Sequence, residues 1–523
     1  MNRARTQSDR FAHALQRCVM ALALWTVCLA SGTALAQAAN PREELERAYV
    51  AAFRSDDFAA AERHGRAWVR LRPDDFIPHY NLAAALAQLS ATTIDDDAKA
   101  AAILNDAAGE LDRAVELGMT SKYQLVADGS LKPLRKHPTY RALLETWPSQ
   151  LERAIDARLE RSRAAFPKSY TFEKNAEWRM AFASGFAARA FETAKADMAS
   201  VLAWWQREVL PADGVFVVTD GPSPDPWVMV SLPSRKDYLA FSARQFGARS
   251  KYIPGVYDNQ RKELVAQDLG ATLRHEFCHV LHYRDSDRRG QIHAVWIQEG
   301  LCSLVEDVEV VKGEVDGPAI LKPVASWRTN SVKRLARGGK PIALSKLVTF
   351  DLATFTRDGT ALPSYALART VFLYLQDRGK LRAFYANYVS GWKADATGAA
   401  ALEATLGRTL SEIDKDLIGW LKTIADVPDE VRPGPTRLAI TVGATAGDGL
   451  TIEEVERTPR GDRASPTGDL RAGDTLLSVA GSPVHDANAL ARLLGTLKAG
   501  TEVEIIYRRY KEERTTMAVV LSR

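Results

Sequence analysis

Apolar positions between 41 and 147 recur at helical spacing, in a stretch rich in Ala, Leu, Arg and Glu, and predict a run of amphipathic helices. The segment DFAAAERHGRAWVRLRPDDFIPHYNLAAALAQL carries small residues, then Pro73 after one helix, then an aromatic-rich helix start. Alanines at that spacing let paired helices approach closely and stack. More helices are predicted from 150 to about 212, where the Trp204-Trp205 pair reads as packing. GVFVVTD and WVMVSLP then read as strands between Gly and Pro breaks, and IPGVYDNQRKELVAQ as one more. DLGATLRHEFCHVLHYRD turns helical, and helices continue to about 426. VPDEVRPGP, at 427–435, is Pro-rich and charged and reads as a linker. Residues 436–523 alternate strand-like runs with one helix, DANALARLLGTL, as a small separate β-rich unit does. The expected fold is therefore multidomain α+β, with a helical region at 37–148, a mixed α+β domain at 149–426 and a β-rich domain at 436–523.

Composition narrows the class. At 523 residues, 46% hydrophobic and 26% charged, the chain is neither largely disordered nor collagen-like. Four cysteines in that length exclude a disulfide-built scaffold. Of the formal charge of +4, residues 1–36 hold four arginines and one acid, +3, which leaves +1 for the rest. No global field attracts nucleic acid or anionic lipid. Residues 1–36 read as a secretory signal: a basic stretch ending at Arg17, an apolar run, then Ala34-Leu35-Ala36 before Gln37. The mature chain is expected to be exported, periplasmic or secreted, with no integral span; an uncleaved signal leaves it membrane-anchored. Signal removal takes Cys18 and Cys28, leaving Cys278 and Cys302.

The chemistry concentrates at His275-Glu276-Phe277-Cys278-His279, an H-E-x-x-H pattern inside a predicted helix. On a helix the two histidines project within about 40° of each other and can hold one metal. Glu276 stands beside them, placed to take a proton from metal-bound water. Two imidazoles leave a zinc site incomplete, so a third ligand is required. Twenty residues on comes Trp296-Ile297-Gln298-Glu299-Gly300, closing on Glu306. This resembles the W-x-x-E-G-x-x-x-x-x-E signature of gluzincin metallopeptidases, of the peptidase MA-like superfamily. The resemblance implies a thermolysin-like α+β catalytic domain and one zinc per chain. It makes His275, His279 and Glu299 the ligands and Glu276 the general base, with Glu306 buttressing a ligand histidine. Many gluzincins carry an Asp four residues after the third ligand, where this chain has Ser303. The resemblance also places an edge strand, within GVYDNQRKELVAQ, above the metal helix, and makes Tyr365 a hydrogen-bond donor to the oxyanion. A tyrosine at a helix start also serves simply as packing. His282 and His293 are read as lying beside the ligands or at the surface rather than ligating. Cys278 and Cys302 fall on helices that share the metal; a disulfide there suits an oxidising compartment, and two buried thiols suit the same positions.

The segment across Pro73 into His79-Tyr80-Asn81-Leu82-Ala83 resembles a tetratricopeptide unit, with AAGELDRAVELG a second match. Residues 436–523 resemble a bacterial protease-associated PDZ domain. That resemblance makes Gly449, Leu450, Thr451 and Ile452 the carboxylate-binding loop, with peptide adding beside Leu450–Glu454. The implied activity is exported zinc-dependent peptide hydrolysis, with protein partners met through the tetratricopeptide-like and PDZ-like regions. A glycyl-aminopeptidase-like exopeptidase is one alternative, although no amine-binding acidic motif is evident. A non-catalytic scaffold with a retired core is another; Glu276 argues against it, since a structural zinc needs no base.

Overall fold

The computed structural model describes residues 41–175, 177–211, 227–232, 237–239, 241, 255–259, 262–266, 268–311, 319–339, 341–357, 359–429, 431–443, 448–456 and 466–523. The leader at 1–36 and the GVFVVTD stretch lie outside them. The fold is mixed α+β, and no helix among the described residues is long and apolar enough to cross a membrane.

Helices α1 (Pro41–Arg54), α2 (Phe58–Leu71), α3 (Phe76–Thr92) and α4 (Asp97–Glu116) each pack on the next. Aspartates start three of them: Asp57 accepts from the Ala60 N–H, Asp75 from Ile77 and Asp96 from Lys99. Helix α3 is buried on nearly every side, with Ala83, Ala85 and Ala87 wholly inaccessible. His79 on α3 ties Glu110 on α4 at 2.6 Å. Helix α5 (Trp147–Ala165) crosses the expected boundary at 148. Its Trp147 and Leu151 belong to the helical core, whereas Ile155 and Leu159 pack on the sheet that follows.

That sheet has five strands, β1 (Thr171–Asn175), β2 (Met180–Ser184), β3 (Trp227–Ser231), β4 (Gly255–Asp258) and β5 (Glu263–Ala266), in the order β1-β2-β3-β5-β4. The inner pairs β2–β3 and β3–β5 are parallel, and the outer two are antiparallel. Met180, Phe182, Trp227, Met229, Leu264 and Ala266 share the core with α6 (Ala188–Trp204) and α7 (Ala271–Arg289). The alternate residues Ala181, Ala183, Val228, Val230 and Val265 meet α5. With both faces covered, the inner strands read as continuous apolar runs.

Three segments differ from the sequence reading. Strands β1 and β2 stand where helices were expected; Asn175 accepts from the Trp178 N–H at 2.8 Å, and Arg179 takes a left-handed φ of 51° to turn the pair. The single strand expected in IPGVYDNQRKELVAQ is the β4–β5 hairpin, with Lys262 at φ 50°. After α8 (Val295–Leu304), a further hairpin, β6 (Val308–Val311) with β7 (Ile320–Pro323), interrupts the helices before α9 (Trp327–Arg337) and α10 (Ala361–Asp377). Gly300 is required where α8 meets α10, because a Cβ there would fall 2.5 Å from the Phe372 ring.

The C-terminal unit opens with the short β8 (Thr436–Arg437), and its sheet contains β9 (Ile440–Val442), β10 (Leu450–Val455), β11 (Thr475–Val479) with the short β12 (Ser482–Pro483) beside it, β13 (Glu502–Arg509) and β14 (Glu512–Val519), ordered β14-β13-β11-β10-β9. Helix α11 (Ala487–Thr496) buries Leu490 and Leu494 in the core of this unit. The connecting stretch is anchored: Asn330 on α9 donates to Val427 O at 2.7 Å and to Asp429 at 2.8 Å.

Candidate metal centre

Helix α7 begins at Gly270, the N-cap, and ends at Gly290 in the left-handed conformation, φ 66°. Arg288 and Arg289 in its last turn both pair with Asp285. Between those ends lies an unusual helix whose buried residues include His275, Glu276, His279, His282, Arg284 and Asp285. Buried polar groups on this scale need partners or a task. Helix α8 is fixed beside it by the Trp296 indole N–H on Thr397 O at 2.8 Å and by the Ala294 N–H on the Tyr388 hydroxyl at 3.0 Å.

His275 Nε2 and His279 Nε2 lie 3.0 Å apart, and Glu299 Oε2 stands 3.4 Å from the first and 3.5 Å from the second. These three residues form the group of metal-competent side chains among the described residues. The donor set passes a geometric test for zinc. Bonds of about 2.0–2.1 Å in a tetrahedron put neighbouring donors about 3.3–3.4 Å apart, close to what the three atoms show. Glu276 Oε2 and His279 Nδ1 are buried without a hydrogen-bond partner.

Around the triad the supports are specific. His275 Nδ1 meets Glu306 Oε1 at 3.0 Å, and Arg328 grips the same carboxylate with Nε on Oε2 at 2.7 Å and Nη2 on Oε1 at 3.0 Å. Glu306 thus provides for His275 the carboxylate that Ser303 cannot. Burial disfavours the charged form of Glu306, but Arg328 and His275 hold it well below the usual carboxylate range. Glu299 is likewise held low against burial by His279 and His275. Burial pushes Glu276 up to about 8, with His275 opposing and Glu299 and Glu306 adding to the rise.

Tyr365 stands on α10, edge-on to Phe355 at 4.9 Å, with Arg328 over its ring. Burial raises its hydroxyl, and the charge of Glu299, followed by that of Glu276 and Glu306, is felt there. The cysteines lie side by side behind the triad as free, buried thiols, with Cys302 in hydrogen-bonding contact with Cys278. His282 and His293 are internal rather than superficial: His282 Nε2 meets His293 Nδ1 at 2.6 Å, and His293 Nε2 meets Gln291 at 3.0 Å.

Sequence reasoning missed several members. Tyr257 on edge strand β4 lies against the His279 ring, tilted by 32° with centroids 3.9 Å apart, and donates to Glu299 Oε1 at 3.4 Å. Its place in GVYD, on the strand expected above the metal helix, was the available signal. Tyr283 donates to Gln298 at 2.7 Å. Arg328 has no motif around it and becomes visible only through Glu306.

Gly449, Leu450, Thr451 and Ile452 lie away from this centre, at the start of β10. That strand is interior, pairing with β11 through Leu450 and Thr451 and with β9 through Ile452, Glu454 and Val455. Leu450 and Ile452 are wholly buried, and Gly449 is small because Leu476 O packs on it. Among the described residues β10 lies inside the sheet, whose edge strands are β9 and β14.

No protein-family model matches the chain, and no curated protein has a matching sequence. Among solved structures it is similar to an aminopeptidase N family protein from Idiomarina loihiensis, at 13% identity and a TM-score of 0.26, over 68% of this chain and 67% of that one.

Proposed function

We propose that the chain is a zinc-dependent peptidase, with His275, His279 and Glu299 holding the metal and Glu276 acting as general base. One observation carries this reading: three donor atoms converge at 3.0–3.5 Å beside a buried carboxylate oxygen that has no partner. A structural zinc site fills four positions with protein ligands, whereas a three-donor set leaves one position for chemistry. A zinc ion bound there supplies Lewis acidity, polarising a carbonyl and making water a stronger acid.

The residues of the chain do the rest. Edge strand β4 offers backbone groups along which an extended peptide adds as a further strand, over α7. Glu276 accepts a proton from the attacking water and passes it to the departing amine nitrogen. Tyr365 donates toward the carbonyl oxygen as it gains charge. Tyr257 steadies Glu299 from the oxygen opposite the donor atom, and Glu306 keeps His275 in the tautomer that presents Nε2. Export follows from the leader, and the tetratricopeptide-like and PDZ-like regions serve recognition of protein substrates or partners.

Digestion of a mixed peptide library by the zinc-loaded protein tests this. Glu276→Gln keeps size but removes the base, so zinc content should hold while hydrolysis falls by about 10²–10⁴-fold. Undiminished cleavage by Glu276→Gln would remove Glu276 from the chemistry.

A further inference from the structure

Residues 303–307 run out of α8 and carry Glu306, and arginines from four separate elements converge on them. Arg274 of α7 donates from Nε to Val305 O at 2.9 Å and from Nη2 to Glu306 O at 2.7 Å. Arg369 of α10 reaches Ser303 O at 2.8 Å, Leu304 O at 3.4 Å and Asp307 O at 3.3 Å. Arg328 of α9 holds the Glu306 carboxylate. The fourth, Arg492, comes from α11 of the C-terminal unit and pairs with the Asp307 carboxylate, 185 residues away in sequence.

The same end of the C-terminal unit makes a second contact. Gly270, which caps the start of α7, lies under His485: a Cβ at 270 would come 2.6 Å from its ring. His485 and its neighbour Asp486 are half-buried there, and Asp486 accepts the Ala489 N–H to start α11. His485, just before α11, therefore touches the start of the histidine helix, and Arg492 on α11 touches the segment that buttresses His275.

We propose that Arg492 is a positioning residue of the metal centre, acting through Asp307 on the Glu306–His275 contact; this rests on the zinc reading above. The physical reason is competition. Glu306 and Asp307 are adjacent carboxylates, and Arg328 lies within electrostatic reach of both. The Asp307 side chain is only 11% exposed, so it needs a cationic partner. Arg492 pairs with it directly, with the Arg369 charge also felt there, and this leaves Arg328 to Glu306. Without Arg492, Asp307 draws on Arg328, the Glu306 carboxylate loses its clamp, and His275 loses its fixed orientation.

Zinc affinity of the full chain, measured by competition with a chromophoric chelator, tests the chain of contacts without any need for peptide turnover. Arg492→Ala should weaken zinc binding by about tenfold, the lower end of what outer partners of a ligand contribute. Arg492→Lys, which keeps the charge, should recover part of it. The decisive variant is Asp307→Asn combined with Arg492→Ala: removing the competitor should restore affinity to near the wild-type value, which a general structural defect would not do. Arg509→Ala breaks an ion pair inside the C-terminal unit, Arg509–Asp474, and should leave zinc affinity unchanged. Wild-type affinity in Arg492→Ala, absence of rescue by Asp307→Asn, or an equal loss in Arg509→Ala would each overturn the inference. A wild-type chain that binds no zinc would instead defeat the metal reading, and this inference with it.

Discussion

Gly255 shows how closely the centre is built at the level of single residues. A Cβ at this position of β4 would fall 2.6 Å from Thr272 Cγ2, 2.7 Å from Glu276 Cγ and 2.8 Å from Glu276 Oε1. Real carbon atoms do not approach so closely, so glycine is what lets the edge strand lie directly on the Glu276 carboxylate. Gly255→Ala should push Glu276 aside while leaving all three zinc donors in place. The account predicts retained zinc and a fall in kcat of about 10²-fold, the usual cost of displacing a reacting group by about 1 Å. Steady-state kinetics alongside metal content checks it; an unchanged kcat would show that Glu276 tolerates displacement and is not the base.

At the scale of elements, α7 is a polar helix inside an apolar core, and its second face is organised by the His282–His293 contact. Burial, with His279 adding to it, pushes His282 down to about 3. The unfolded chain binds that proton near the ordinary histidine value of about 6.5. Between those values the unfolded state holds more protons, so stability present above about pH 6.5 is lost as pH falls below it. Urea unfolding of the zinc-free protein should show this slope, and His282→Gln should flatten it; an equal slope in the variant would place the acid sensitivity elsewhere. How much of this was legible depended on distance along the chain. The spacing of His275, Glu276 and His279 is local, Glu299 follows on the next helix and Glu306 just past its end, so the donor set could be read from sequence. Strands β1 and β2 could not: MAFAS suits a helix as well as a strand, and only pairing with WVMVS decides it. The arginines were hidden for the same reason, since Arg328, Arg369 and Arg492 acquire meaning only when the chain folds back on residues 303–307.

At the scale of the whole molecule, the units that look separable in sequence are physically joined. Helix α5 contributes to the helical core and to the sheet, residues 427–429 are anchored on α9, His485 meets the start of α7, and Arg492 on α11 meets Asp307. Within the C-terminal sheet the edge strands among the described residues are β9 and β14, and β10 lies between β9 and β11. The proposed centre is the three-donor cluster His275, His279 and Glu299, holding zinc with a position open to substrate. Zinc K-edge X-ray absorption on the purified full chain tests that claim most directly. The account predicts one zinc per chain in a shell of nitrogen and oxygen at about 2.0–2.2 Å, with imidazole scattering from two rings and no sulfur. A zinc–sulfur distance of about 2.3 Å, which would bring Cys278 or Cys302 into the site, or a protein that binds no zinc at all, would contradict it.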